Sequence, residues 1–254
     1  MSTPIIDVRD VTAAYGDETI LEDISFTVEP GEKFIILGGS GCGKSTLLKH
    51  LIGLYPPAKG QILIEDKDIA AAEGEDRRAI LRRIGVMYQS GALFGSMTLL
   101  ENVRLPMEEF TELPPDARDL LALMKLHLVG LGDFAGSLPS EISGGMQKRA
   151  AIARAMALDP AVLFLDEPSA GLDPITSAEI DALILRLNEA LGITFVIVTH
   201  ELASVYATAD RVIMLDKETK GILAEGRPQD LRDHSDVDRV RRFFRREVEP
   251  KEEK

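Results

Sequence analysis

Hydrophobic positions along this chain follow two periodicities, and the change from one to the other divides it. Near the N-terminus they form short runs bounded by turn formers: Ile5 to Val8, Val11 to Tyr15, Ile24 to Val28 and Lys33 to Leu37, punctuated by Gly16, Pro30 and Gly31. Short runs rich in β-branched residues predict strands. Ser45 to Leu54 then carries helical spacing, and Gln61 to Ile64, after the Pro56-Pro57 turn, reads as another strand. From Leu99 to Leu158 strand signals vanish, helical spacing is sustained from Ala117 to Leu131, and prolines at 106, 114, 115 and 139 mark joints. Strands resume at Val162 to Asp166, Thr194 to Val198 and Arg211 to Leu215, with a helix near Ile175 to Leu191 between the first two. The expected architecture is an α/β core over 1–233 with a helical lobe inserted at about 90–158.

The last segment, 234–254, has its own character. Val237, Val240, Phe243 and Phe244 recur at helical spacing among Arg239, Arg241, Arg242, Arg245 and Arg246, and a charged run, Glu249 to Lys254, follows. An amphipathic basic helix in an acidic protein has three readings: packing on its own domain, docking on a partner protein, or lying on a membrane surface.

Composition narrows the function classes. With 42 Asp and Glu against 29 Lys and Arg, the formal charge is −13, which argues against nucleic acid as the main partner, because a duplex needs a basic face to displace its counterions. The single cysteine, Cys42, cannot form an internal disulfide and fits a reducing compartment. No apolar run approaches the roughly 18 residues that would span a bilayer, and Met1-Ser2-Thr3-Pro4 lacks the features of a secretory signal. A membrane role would have to come through a partner.

The chemistry sits at the ends of predicted strands. Lys33 to Leu37 runs into Gly38-Gly39-Ser40-Gly41-Cys42-Gly43-Lys44-Ser45-Thr46, which has phosphate-loop spacing and is followed by a helix. In such a loop, small residues let backbone amides approach phosphate oxygens, Lys44 neutralises the β- and γ-phosphates, and Ser45 offers a hydroxyl to Mg²⁺. Asp166 ends an apolar strand, where its carboxylate can reach the ion through water, and Glu167 beside it can act as general base on the attacking water. His200 follows another strand, at the sheet edge where α/β proteins bind ligands. A second anion cradle, Ser143-Gly144-Gly145, opens a helix in the lobe, although one nucleotide site has no use for two cradles.

From about residue 5 to 233 these motifs resemble the ATP-binding-cassette ATPases: P-loop NTPases with a RecA-like core, an N-terminal antiparallel β-subdomain and an inserted helical lobe. The resemblance places Tyr15 at the adenine-stacking position, Gln89 at the lobe-junction glutamine, Ile142 to Met146 at the signature, Ser169 to Asp173 at the dimer loop and Thr199-His200 at the switch. It implies ATP and Mg²⁺ as cofactors, with Gln89 coupling metal and γ-phosphate to lobe rotation. It also implies a head-to-tail homodimer, in which the signature of one chain closes on ATP held by the other. Met146 departs from the glutamine usual in the signature, which leaves Ser143 and the amides of Gly144 and Gly145 as the donors. Cys42 reads as small filler in the loop.

Gln89-Ser90-Gly91-Ala92-Leu93-Phe94, with Met97-Thr98 and Glu101-Asn102-Val103, is similar to the bacterial Mla- and Mce-associated cassettes that power lipid transport across the envelope. That implies an integral permease subunit, a lipid-binding MCE-type protein, and a cytoplasmic place on the inner side of the membrane. Leu93, Phe94, Met97, Leu99 and Leu100 form an apolar cluster that would either receive a permease helix or pack the lobe. The alternatives are the ATPase of another importer, for instance one for polar amino acids, or a non-transport cassette.

Overall fold

The computed structural model describes residues 3–16 and 18–247, with Tyr15 described by its backbone alone. The chain begins with a β-ribbon, β1 (Ile6–Tyr15) and β2 (Glu18–Val28), followed by β3 (Lys33–Gly38) and α1 (Lys44–Leu51). Next come β4 (Lys59–Ile64), β5 (Lys67–Asp68), α2 (Gly74–Arg82) and β6 (Ile84–Met87). The lobe supplies α3 (Leu99–Phe110), α4 (Pro115–Leu128) and α5 (Gly144–Ala155). The core then returns with β7 (Val162–Asp166), α6 (Pro174–Leu191), β8 (Thr194–Val198), α7 (Leu202–Thr208), β9 (Arg211–Leu215) and β10 (Ile222–Gly226), and ends with α8 (Pro228–His234) and α9 (Asp238–Arg245).

Two sheets result. The first is antiparallel, in the order β2-β1-β4-β5. The second runs β10-β9-β3-β8-β7-β6 and is parallel except for β10 at one edge. Strands buried on both faces read as continuous apolar runs, and all five residues of β8, Thr-Phe-Val-Ile-Val, are buried. Alternation along β3 sends Phe34 and Ile36 into one core and Ile35 and Leu37 into another. The first core joins the antiparallel sheet to α1 through Leu47, Leu48 and Leu51, and the second joins the parallel sheet to α5, α6 and the lobe.

Several expectations shift in detail. Ile5 to Val8 and Val11 to Tyr15 are one strand, irregular around Asp10, whose φ of 48° breaks the register with β2. β2 begins at Glu18, ahead of the apolar run at Ile24 that signals it. Pro106 marks no joint: it lies inside α3, which continues to Phe110. That helix is started firmly by a capping box, in which the Glu101 amide donates to Thr98 Oγ1 at 3.2 Å and the Thr98 amide to Glu101 Oε2 at 2.7 Å.

The basic C-terminal helix packs on its own chain. Val240 and Phe244 of α9 are buried, each worth about 1.5–3 kcal/mol by removal from water. Tyr206 Oη of α7 donates to the Phe244 carbonyl at 2.9 Å, and Arg239 forms an ion pair with Asp216 just past β9. The run from Glu249 to Lys254 lies outside the described residues. Among the described residues no helix is long and apolar enough to cross a membrane.

Candidate active site

The phosphate loop forms where β3 stops and α1 starts. Gly38 has φ 152°, and a Cβ there would stand 2.7 Å from the Leu215 carbonyl oxygen, so the neighbouring strand leaves no room for a side chain. Gly43 has φ 100°, and a Cβ would meet Leu21 at 2.9 Å. Because Gly43 is also the N-cap of α1, the first amides of the helix find no side-chain acceptor and stay suited to an anion. Lys44 Nζ folds back over the loop, donating to the carbonyls of Gly38 at 2.8 Å and Gly39 at 3.1 Å. Gly39, Ser40, Gly41 and Ser45 are exposed, Thr46 is half-buried, and Cys42 turns inward. Burial pushes the Cys42 thiol upward, as expected of packing filler.

The acidic pair stands at the end of β7. Asp166 is held above the ordinary carboxylate range, first by burial and then by the charge of Glu167, with Lys44, Lys148 and Lys49 acting in the opposite direction. α1, which starts on the phosphate loop, lies against β7, so the phosphate loop and the acidic strand end stand together. Glu167 adopts φ 48°, in the left-handed region, while its amide donates to the Val198 carbonyl at 2.8 Å. His200 Nδ1 donates to Glu167 Oε1 at 2.7 Å, and Glu167 Oε2 is buried without a partner. Orphaned buried oxygens are rare in folded proteins, so this one marks the site.

Gln89, two residues past β6, is exposed and shares with Tyr88, Ser90, Asp166, Ala170 and Gly171 an open cleft of about 560 Å³. The structure therefore brings Gln89 and Asp166 together. The other cradle lies elsewhere: Ser143 caps α5, accepting from the Met146 amide at 3.3 Å, and Gly144 and Gly145 lie against Leu172 and Thr176. Among the described residues no hydrogen bond joins Ser143, Gly144 or Gly145 to the phosphate loop. Met146 is half-buried against the second core, so a thioether suits the position better than an amide would. Tyr15 ends β1, but its side chain lies outside the described residues.

Two features were not legible from the sequence. Ser169 Oγ donates to Glu201 Oε2 at 3.1 Å, tying the segment after Glu167 to the turn that carries His200. Lys148 of α5 is buried, and its ammonium donates to the Gln89 carbonyl. The apolar cluster after Gln89 is unevenly buried. Leu99 is fully buried in the lobe, whereas Phe94 is half-exposed beneath the Arg154 guanidinium, 6.0 Å from the ring centre. Asn102, fully buried, shapes this turn by accepting from the Phe94 amide at 2.8 Å and donating to the Phe94 and Met97 carbonyls at 3.1 Å.

The profile of the ABC transporter family matches residues 21–170. The chain is 39% identical to the intermembrane phospholipid transport system ATP-binding protein MlaF of Haemophilus influenzae over 97% of its own length and 92% of the relative's. It is 42% identical to MlaF of Escherichia coli K12, over 94% of the chain and 88% of the relative. It is 40% identical to the probable ribonucleotide transport ATP-binding protein mkl of Mycobacterium tuberculosis H37Rv, over 94% of the chain and 66% of that protein. Among solved structures, a dimeric ATP-binding cassette in a post-hydrolysis state with ADP and phosphate superposes with a TM-score of 0.78 at 32% identity, covering 87% of this chain and 98% of that one. A cassette of the cbiONQ transporter of Clostridium perfringens superposes with a TM-score of 0.82 at 31% identity, covering 90% of each chain. With phosphate loop, acidic strand end and His200 converging on one sheet edge, the chain belongs to the ABC transporter family and is one of its ATP-hydrolysing cassettes.

Proposed function

We propose that this cassette powers phospholipid movement across the bacterial envelope, working as a head-to-tail homodimer on the cytoplasmic face of the inner membrane, beneath a permease and with an MCE-type lipid-binding protein. The lipid assignment is supported by likeness to MlaF proteins over nearly the whole chain. The observation that carries the chemistry is Glu167, aligned by His200 through one oxygen and buried without a partner at the other. Water attacks the terminal phosphorus of ATP, the Glu167 carboxylate takes its proton, and the bond from that phosphorus to the ADP oxygen breaks. Lys44 and the loop amides at Gly38, Gly39, Ser40, Gly41, Cys42, Gly43, Ser45 and Thr46 bind the phosphates, while Tyr15 stacks on the adenine. Ser143, Gly144 and Gly145 bind the nucleotide held by the partner chain, which accounts for two cradles in one polypeptide.

The donors suit Mg²⁺ that arrives with the nucleotide. Among the described residues no three carboxylate, imidazole or thiol groups converge on one point. Mg²⁺ usually keeps several waters and binds substrate phosphates beside one or two carboxylates, so a sparse protein set is what it needs. Ser45, Gln89 and Asp166 would hold it, and the bound ion would offset charge on the transferring phosphoryl oxygens.

Purification of the native complex, with identification of its subunits and extracted lipids, tests the assignment. Co-purification of a permease, an MCE-type protein and bound phospholipid is expected. A permease accompanied by a sugar- or amino-acid-binding protein would overturn it.

A further inference from the structure

Lys148 lies in the second turn of α5 and is only 8% exposed, although lysine is rarely buried without a carboxylate partner. Among the described residues it has no ion pair at contact distance; its ammonium donates to the Gln89 carbonyl, and the Glu167 carbonyl lies 3.5 Å from the same nitrogen. Those carbonyls stand just past β6 and β7, adjacent parallel strands in which Met87 is opposite Leu165. One ammonium from the lobe thus spans two strand ends of the core. Ser143, the N-cap of α5, lies about 7.5 Å away along the axis at 1.5 Å per residue, within one rigid helical segment.

Stability alone does not call for a charge in this place, since an apolar side chain of similar volume avoids the desolvation that an ammonium suffers. What the ammonium adds is direction: it binds two carbonyls from separate loops, one carrying Gln89 and the other Glu167. We propose that Lys148 is a positioning residue for ATP hydrolysis, holding the Gln89 and Glu167 turns to α5 so that displacement of the Ser143 end carries both with it. The link runs from the surface that meets the partner's nucleotide to the groups that act on the chain's own, and it rests on the assignment of Gln89 and Glu167 made above.

The test uses the full chain in its transport complex at saturating ATP. Lys148→Met, which keeps the length and loses the donors, should lower kcat by about 10- to 100-fold, the range for a lost charge-assisted hydrogen bond, with KM changed less than about threefold. Lys148→Arg should recover most of that loss. Gln89→Ala combined with Lys148→Met should be little slower than the slower single variant, because both act through one turn. If Lys148→Met does not unfold cooperatively, Lys148→Gln, which retains only a neutral donor, takes its place and should turn over more slowly than the Arg variant. Wild-type kcat in the Met or Gln variant, equal loss in the Arg variant, or losses that multiply with Gln89→Ala would overturn the proposal. Glu167→Gln runs alongside: if it too turns over normally, the site assignment itself is wrong, whereas an inactive Glu167→Gln beside a normal Lys148→Met overturns only the role of Lys148.

Discussion

Replacing His200 by alanine isolates the contact that aligns the proposed base. In the folded chain Glu167 has one oxygen accepting from His200 Nδ1 at 2.7 Å and the other without a partner. Removal of the imidazole leaves a nearly buried carboxylate with no side-chain partner. A hydrogen bond to a charged group contributes about 1.5–3 kcal/mol, which corresponds to about 10- to 150-fold in rate if it is felt in the transition state. The imidazole is itself 63% exposed, so water can enter and take over part of that bond, which places the expected loss in the lower half of the range, about 10- to 50-fold. Phosphate release at saturating ATP measures kcat, and a fluorescent nucleotide titration measures binding separately. Binding should be unchanged, because the contact is made to Glu167 and not to the phosphate loop. A kcat within threefold of wild type, or an equal loss of affinity, would refute the alignment argument.

Three other outcomes follow from the geometry. Asp166→Asn should raise the melting temperature of the nucleotide-free protein at pH 7 while abolishing hydrolysis. The Asp166 pKa is raised above 3.8 by burial, so ionising it opposes folding as pH rises, and the stabilisation should disappear below pH 3.8, where both states hold the proton. Asn102→Ala should cost about 2–4 kcal/mol in denaturant unfolding, since it strands the Phe94 amide and empties a fully buried site; a loss under 1 kcal/mol would contradict the role given to this side chain. Neither a Lys44→Ala chain nor a Ser143→Arg chain should hydrolyse ATP alone, yet mixing them should restore activity through one composite site; an inactive mixture argues against site sharing.

The parts of the site most legible in the sequence are those where stereochemistry leaves one choice. Gly38 and Gly43 face a strand carbonyl and Leu21 at distances no side chain tolerates, so their spacing is visible in the letters. Strands buried on both faces announce themselves equally well, as β3, β7 and β8 do. Short elements do not: β6, four residues including a glycine, has too little apolar pattern to stand out, although it delivers Gln89. Pro106 misleads because a proline usually interrupts a helix, and only the surrounding lobe keeps α3 continuous through it. Lys148 was invisible for a different reason, since a lysine on a helix ordinarily means a solvated face. The destination of the basic C-terminal helix, left open by its pattern, depends on Tyr206 and Asp216, which lie more than twenty residues earlier.

The alternation along β3 has a thermodynamic consequence. Its odd residues, Ile35 and Leu37, wall one core and its even residues, Phe34 and Ile36, wall the other, so no sub-global opening can release this strand while either core stays intact. Its amides should therefore be among the last to exchange with deuterium, and the loop at its tip is tethered to the slowest-moving part of the molecule. Nucleotide bound there, as proposed, would load both halves of the cassette at once, so the fuel would double as a clamp on the fold.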